Sequence, residues 1–501
     1  MSRAARVACP LLLVAVLGLA GCMGGDEESG SARDGGSIGI GVSAPRKTLD
    51  PALATQPDEL QLLWLVHTPL VTYRRASGRE GTQLVPGLAE ELPKVSDDGL
   101  TYRLALRPGL TYSNGAPVRA GDFERAVDRV RAFHSRLARL YEEIVTIEAN
   151  ARTGAIAITL AQPDPSFPYL LALPASAPVP RGTPQKELSR RPPPGVGPYR
   201  LVRSETRVAL LRTRGFVLSG VSPGHIDRIT LLRPRPARQQ AQAVITGRLD
   251  VMQEPAPVDL LPEVRSTYRA RYREETTAST VALVADTGAP PFDDPAVRRA
   301  VGESIDADTL TRLYRGLLEP SCNLLPDTVR AYRRLDPCPF GDRKDPPDLP
   351  ELKEQVESAG ADGAPVSVIA DPGIPRAVER NLAGMLRKIG LAASTERGAA
   401  TVRVRRFAPL LAHPTAFIEP VASTVFDTDL RETVEAGALP ESVEQSDDAW
   451  AAADRIIVEQ GYAAPLGNER RPAFLSERLD IQNCVRFQPL FGLDLSSLCI
   501  R

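Results

Sequence analysis

At 501 residues the chain exceeds the roughly 250–300 at which a single hydrophobic core stops growing, so two or three packed lobes are expected. Hydrophobic residues make up 43% and charged residues 25%, and the net charge of −1 (61 basic, 62 acidic) shows neither a nucleic-acid footprint nor an acidic tail. The 46 prolines are roughly twice the average share, which argues for long irregular connections and against a helical bundle.

Arg3 and Arg6 precede an apolar run, Val7 to Ala20, and together these are the parts of a signal peptide. At about 14 residues the run is short of the roughly 20 that span a bilayer as a helix, so a permanent transmembrane anchor is the weaker reading. Leu19-Ala20-Gly21-Cys22 resembles the lipobox of bacterial lipoproteins. That resemblance implies cleavage before Cys22 and a diacylglycerol on its sulfur; the competing reading is an ordinary secretory signal with an incidental cysteine. Residues 1–21 then form the signal peptide. Residues 22–36, rich in Gly, Ser, Asp and Glu, form a solvated tether that holds the protein to the membrane.

Beyond the tether, "SIGIGVS" reads as a strand, and "LDPALATQPDE" as a turn leading into a helix. Leu100, Tyr102, Leu104 and Leu106 alternate with polar residues, which predicts a half-buried strand. Asp122 and Glu124 load the first turn of a helix whose Phe123, Ala126, Val127, Val130 and Phe133 recur at helical spacing. "IDRITLL", a helix through Ala237, Ala241, Val244 and Ile245 stopped by Gly247, and "LDVM" make a βαβ unit. "ASTVALVAD" is a buried strand, and Asp294-Pro295 caps the helix "AVRRAVGES". Helix 351–359, strand 366–370, helix 375–389 and strand 401–407 continue the α/β alternation.

Cys9 leaves with the signal and Cys22 is reserved for lipid, leaving Cys322, Cys338, Cys484 and Cys499. The local pairs Cys322 with Cys338 and Cys484 with Cys499 are favoured among the three pairings, because each closes a short loop in an oxidising compartment. A zinc site is the alternative. It is disfavoured by the absence of C-x-x-C and by four histidines, at 67, 134, 225 and 413, without ligand spacing.

Five segments then carry a family resemblance: "LDPALAT", "LVPGLAEELPKVSDDGLTYRLALRPGLTYSNGAPVRAGDFERAV", "GVGPYRLV", "HIDRITLLR" with "GRLDV", and "PPFDDPAVRRAVGESIDAD". Over Leu49 to Asp308 they resemble the extracytoplasmic solute-binding proteins, family 5, of bacterial ABC importers, which include oligopeptide-, dipeptide- and nickel-binding members. The resemblance implies a two-lobe α/β fold of the periplasmic-binding-protein type (class II, cluster C), with an extra domain on lobe one and ligand between the lobes. Mapped here, lobe one is 37–275, including an extra subdomain at about 56–184, with a return over 467–501; lobe two is 276–466. It further implies a monomer, lipid-anchored on the outer or periplasmic face, that passes a peptide or similar small solute to permease subunits. The chain has no G-x-x-x-x-G-K-[ST] stretch, so ATP chemistry belongs to a partner. No cofactor, catalytic residue or metal is expected.

Peptide-binding members of the family resemble one another in an acidic residue, within a segment like G-W-x-x-D-x-P-x-P, that pairs with the ligand's α-amino group. Aligning His413-Pro414 on the end of that segment puts Leu410 at the acid's position, a departure that argues against recognition of a free peptide N-terminus. Arg405, Arg406 and His413 offer positive or polar groups instead, so an anionic ligand is one reading; the other makes the arginines the solvent face of a strand and His413 a loop residue. Thr55 and Gln56 are cleft candidates by family position, and Gly195-Val196-Gly197-Pro198-Tyr199 reads as a turn between lobes. Gly220-Val221-Ser222-Pro223-Gly224 matches the G-x-S-x-G of hydrolases, but a strand-like "HIDRITLLR" follows where a helix is required, so a turn is expected. A ligand-sensing or degenerate lipoprotein, uncoupled from uptake, is the remaining alternative.

Overall fold

The computed structural model describes residues 34–43, 48–204, 207–343, 345–396, 398, 401–439 and 443–501; the signal peptide, Cys22 and most of the tether lie outside the described residues. Local patterning accounts for most elements. Phe123, Ala126, Val127 and Val130 are buried along one face of the helix Gly121–Ala132, and Tyr102 and Leu104 along one face of the strand Thr101–Ala105. Asp294 accepts a hydrogen bond from the Ala296 amide as N-cap of the helix Pro295–Glu303.

One 11-stranded sheet runs through the molecule. On one side lie Ala392–Ser394, Pro365–Ala370 and Thr401–Phe407; on the other lie Val251–Met252, Ser37–Ile40, Arg228–Leu231, Val208–Arg212 and Tyr199–Arg203. Two long strands, Tyr272–Ala285 and Ala463–Leu475, pair antiparallel in the middle and connect the two sides, and the eleventh strand, Leu318–Glu319, pairs with Ala463–Leu475 off this path. Ser37–Ile40 pairs parallel with both Arg228–Leu231 and Val251–Met252, so the helix Ala237–Ile245 is the crossover of the βαβ unit. A separate antiparallel sheet of four strands (Lys94–Val95, Thr101–Ala105, Ala155–Leu160, Ile144–Ala149) packs under the helix Gly121–Ala132.

Each lobe has its own apolar core. Val281, Phe292, Val368, Leu382 and Val402 lie in one, and Ile38, Leu65, Ile229, Leu475 and Leu495 in the other. The largest buried cluster is shared: Tyr73, Phe123, Tyr169 and Phe491 are continuous with Phe407, Phe417 and Trp450. The structure pairs Cys322 with Cys338 and Cys484 with Cys499. Asp480 lies beside the second pair, but both of its sulfurs are already bonded to each other, so no thiolate remains there for zinc.

One family segment departs from the turn reading, whereas "LDPALAT" keeps it, with a turn at Pro51–Leu53 ahead of the helix Pro57–Val66. A Cβ on Gly195 would lie 2.1 Å from the Val66 carbonyl oxygen, and one on Gly197 2.4 Å from that of Leu65. Neither glycine has a positive φ, so they serve close approach to the end of the helix Pro57–Val66, correcting the turn reading. In "LDPALAT", Asp50 forms a buried bidentate pair with Arg129 of the helix Gly121–Ala132, at 2.8 and 2.6 Å.

Candidate ligand cleft

The crossing strands lose register at two places: Leu466 is an extra residue opposite the Val281–Ala282 step, and a wider break lies between Thr276 and Thr280. Thr276 pairs with Arg470 and Thr280 with Asn468, so three residues, Thr277 to Ser279, stand opposite Glu469 alone. Hydroxyls fill the gap. Thr277 Oγ1 donates to the Glu469 carbonyl at 2.8 Å, Ser279 Oγ donates to Glu469 Oε2 at 2.9 Å, and the two hydroxyls lie 2.7 Å apart. Glu469 Oε2 also accepts from Arg406 Nε at 2.6 Å, which joins strand Thr401–Phe407 to the bend.

A cavity of about 360 Å³ opens at this bend. Pro255 and Arg471 line it from one lobe, and Tyr314, Gly373, Pro375 and Arg406 from the other. Three of its groups are under-satisfied, one being Arg470 Nε, which is buried with no hydrogen-bond partner among the described residues. The Tyr314 hydroxyl is buried with no hydrogen-bond partner among the described residues, and burial raises its pKa well above the ordinary phenol value. The Arg471 guanidinium donates only a long 3.4 Å bond to the Leu490 carbonyl among the described residues. Burial, and next the Arg406 cation, lower its pKa to about 10, while Glu469 and Asp58 favour the charged form. A buried donor and a cation lacking a bound carboxylate thus face one space, which suits a small ligand carrying an acceptor or an anionic group.

The residues singled out from sequence fall in different places. Arg406 lines the cavity. Arg405 is on the opposite face of the strand, donating to the Pro420 carbonyl at 3.0 Å and lying 5.0 Å from the Phe407 ring centroid, so it braces the helix Thr415–Ala422. The anion-binding reading of His413 is corrected. It is 1% exposed between Tyr169 and Trp450, its Nδ1 bonds Thr415, and burial lowers its pKa to about 3, so it is neutral and apolar in its surroundings. Leu410 and Leu411 pack against the same apolar cluster. Thr55 and Gln56 sit at the start of the helix Pro57–Val66, where the Glu59 carboxylate reaches back to their amides at 3.4 and 3.3 Å, and neither lines the cavity. Sequence reasoning missed Glu469, Arg471 and Tyr314. The signal available was the polar run Asn468-Glu469-Arg470-Arg471, three of its residues charged, between the apolar stretches of one strand.

Ser222 lies in a turn where its hydroxyl accepts from the Gly224 amide at 3.2 Å, and the next element is the strand Arg228–Leu231. His225 Nδ1 is instead paired with Asp34 at 2.7 Å. The context that exposes a hydrolase nucleophile is therefore missing.

Residues 83–417 match the family described as "Bacterial extracellular solute-binding proteins, family 5 Middle". The chain belongs to this family. Its members are solute-binding proteins and not enzymes. The glutathione-binding protein GsiB of Escherichia coli O6:K15:H31 (strain 536 / UPEC) is 26% identical over 296 residues, 58% of this chain and 56% of that protein. The chain thus spans just over half the length of the curated relatives it matches. Among solved structures, the clavulanic acid biosynthesis oligopeptide binding protein 2 superposes with a TM-score of 0.81 at 22% identity, covering 93% of this chain and 96% of that one. Haemophilus influenzae OppA complexed with RPPGFSPFR gives 0.68 at 17% identity over 94% and 99% of the two chains. The family 5 fold, two α/β lobes with an added subdomain, is thereby established. No helix among the described residues is long and apolar enough to cross a membrane.

Proposed function

We propose that this chain captures a small peptide-like solute between its lobes and delivers it to the permease of an ABC importer. The observation that carries the reading is the cavity at the bend of the crossing strands, whose lining includes Arg471 and the Tyr314 hydroxyl, unpartnered among the described residues. A solute touching both sides favours the closed arrangement only by the contacts that the open one lacks, so affinity and closure are one quantity. Lobe one is assigned to 37–275 and 467–501, and lobe two to 276–466. Relatives that bind glutathione or oligopeptides support this solute class.

Arg471 and Tyr314 are the groups assigned to a carboxylate of the solute. With Leu410 where peptide binders have an acid, no group is assigned to a free α-amino terminus. Cys22 is assigned the lipid that keeps the protein at the outer face of the membrane, the transporter's separate ATPase supplies the energy, and no cofactor is involved. The leucines at 410 and 411, packed into the apolar cluster, also favour a second reading, a ligand sensor not coupled to uptake.

The test is native mass spectrometry on the mature chain with Cys22→Ser, followed by calorimetric titration with the solute released. Arg471→Gln and Tyr314→Phe are expected to weaken binding at least tenfold and about threefold. Unchanged affinity in both variants refutes this placement of the solute.

A further inference from the structure

We propose that the concave face between the helix Gly121–Ala132 and the proline-rich connection at 180–194 is a second binding site, one for an organic phosphate. A cleft of about 750 Å³ opens there and shares no lining residue with the cavity at the crossing strands. That size falls within the roughly 300–1,000 Å³ of small-molecule sites.

Four arginines, Arg119, Arg125, Arg181 and Arg191, line the cleft against one acid, Asp122. The acid is already committed. Its carboxylate accepts from the Tyr112 hydroxyl at 2.9 Å and the Arg119 amide at 3.0 Å, and it meets Arg125 at 3.2 Å. Arg125 Nε is nonetheless buried without a partner, and the side chains of Arg119, Arg181 and Arg191 have no carboxylate partner among the described residues. A chain of net charge −1 thus concentrates uncompensated guanidinium groups in one concavity.

The walls carry prolines at 117, 180, 184 and 192–194, whose fixed φ holds the opening in shape. Ala116, Ala149 and Ala151 give part of the lining an apolar character. A phosphate monoester carries roughly 1.5–2 negative charges at neutral pH and accepts guanidinium groups bidentately. An apolar group attached to it matches the alanine and proline surface. Inorganic phosphate lacks that second contact.

The chemistry is shared by a free phosphate ester and by the headgroup of phosphatidic acid, so the experiment has two arms. The mature protein with Cys22→Ser is titrated with phenyl phosphate by calorimetry and, in parallel, sedimented with phosphatidylcholine vesicles with and without phosphatidic acid. Two variants report on the cleft. One combines Arg119→Gln, Arg181→Gln and Arg191→Gln. The other is Gly121→Phe, which keeps every charge but fills the cleft, since a Cβ there meets nothing within 4 Å. Saturable binding of phenyl phosphate, weakened at least tenfold in either variant at unchanged thermal stability, supports the site with a free ester as ligand. Binding only to phosphatidic acid vesicles, lost in the same variants, supports it with the lipid headgroup as ligand. No saturable binding to either probe, or binding that neither variant weakens, overturns the proposal.

Discussion

Replacing Asp50 by asparagine is expected to destabilise the protein by about 3–5 kcal/mol, the usual cost of stranding one member of a buried ion pair. The side chains of Arg129 and Asp50 are 1% and 0% exposed, so no water can take the carboxylate's place. Arg129 also donates to the carbonyls of Pro184 and Lys186, each at 2.8 Å, and Asp50 accepts from the Leu188 amide at 2.7 Å. The pair therefore ties "LDPALAT", the helix Gly121–Ala132 and the connection at 184–188 into one knot. With an unfolding entropy of about 2.1 cal/mol/K per residue, a cooperative body of roughly 470 residues carries ~1 kcal/mol/K, and the midpoint falls by about 3–5 °C. If the small-sheet subdomain melts alone, roughly 130 residues carry ~0.3 kcal/mol/K and the shift exceeds about 10 °C. Differential scanning calorimetry distinguishes the two by which transition moves. Asp50→Leu with Arg129→Met removes the stranded charge but leaves the Leu188 and Ala52 amides and two carbonyls without these partners, at about 1–3 kcal/mol for each orphaned group. Only part of the loss is therefore recovered. A single Asp50→Asn variant that melts within about 1 °C of the parent refutes this account, as does a double variant of parental stability.

Two further predictions rest on separate features. Asp454 is 1% exposed and accepts from Asn323 Nδ2 and the Leu324 amide at 2.8 and 2.9 Å, and burial raises its pKa to about 6. Because the folded value lies above the unfolded one, its contribution is fully present below about pH 4 and is lost as pH rises through about 6. Melting curves between pH 4 and 7 should show a stability decline that Asp454→Asn flattens, and equal slopes in parent and variant would contradict the assignment. Gly195→Ala forces a methyl against the Val66 carbonyl at 2.1 Å. A loss of about 1–3 kcal/mol in urea unfolding is expected, against a near-neutral Gly288→Ala control, where φ is not positive and a Cβ makes only an ordinary 3.5 Å contact, and a stable Gly195→Ala variant rules out close packing as the reason for that glycine.

Elements built on local rules were legible from the sequence. The strand Thr101–Ala105 and the helices Gly121–Ala132 and Ala237–Ile245 follow from side-chain period and from their stop and start residues. What failed depends on contacts distant in the chain. His413 reads as a polar ligand candidate until Tyr169 and Trp450 close around it, and no local pattern announces either neighbour. The motif glycines at 195 and 197 resemble turn formers because their obstacle, a helix carbonyl, lies some 130 residues upstream. Glu469 and Arg471 stand in a strand whose neighbours are apolar, and their common orientation to Arg406 and Tyr314 exists only once the crossing strands have paired.

The register shift at Thr277 to Ser279 has a mechanical meaning. Two strands that continue from one lobe to the other behave as a leaf spring, weakest at the widest break in their ladder. Ladder hydrogen bonds resist bending least where they are missing, and the hydroxyls of Thr277 and Ser279 bridge that break through Glu469. Arg406 is fastened to the same carboxylate, so tension there is felt on strand Thr401–Phe407 without any intervening loop.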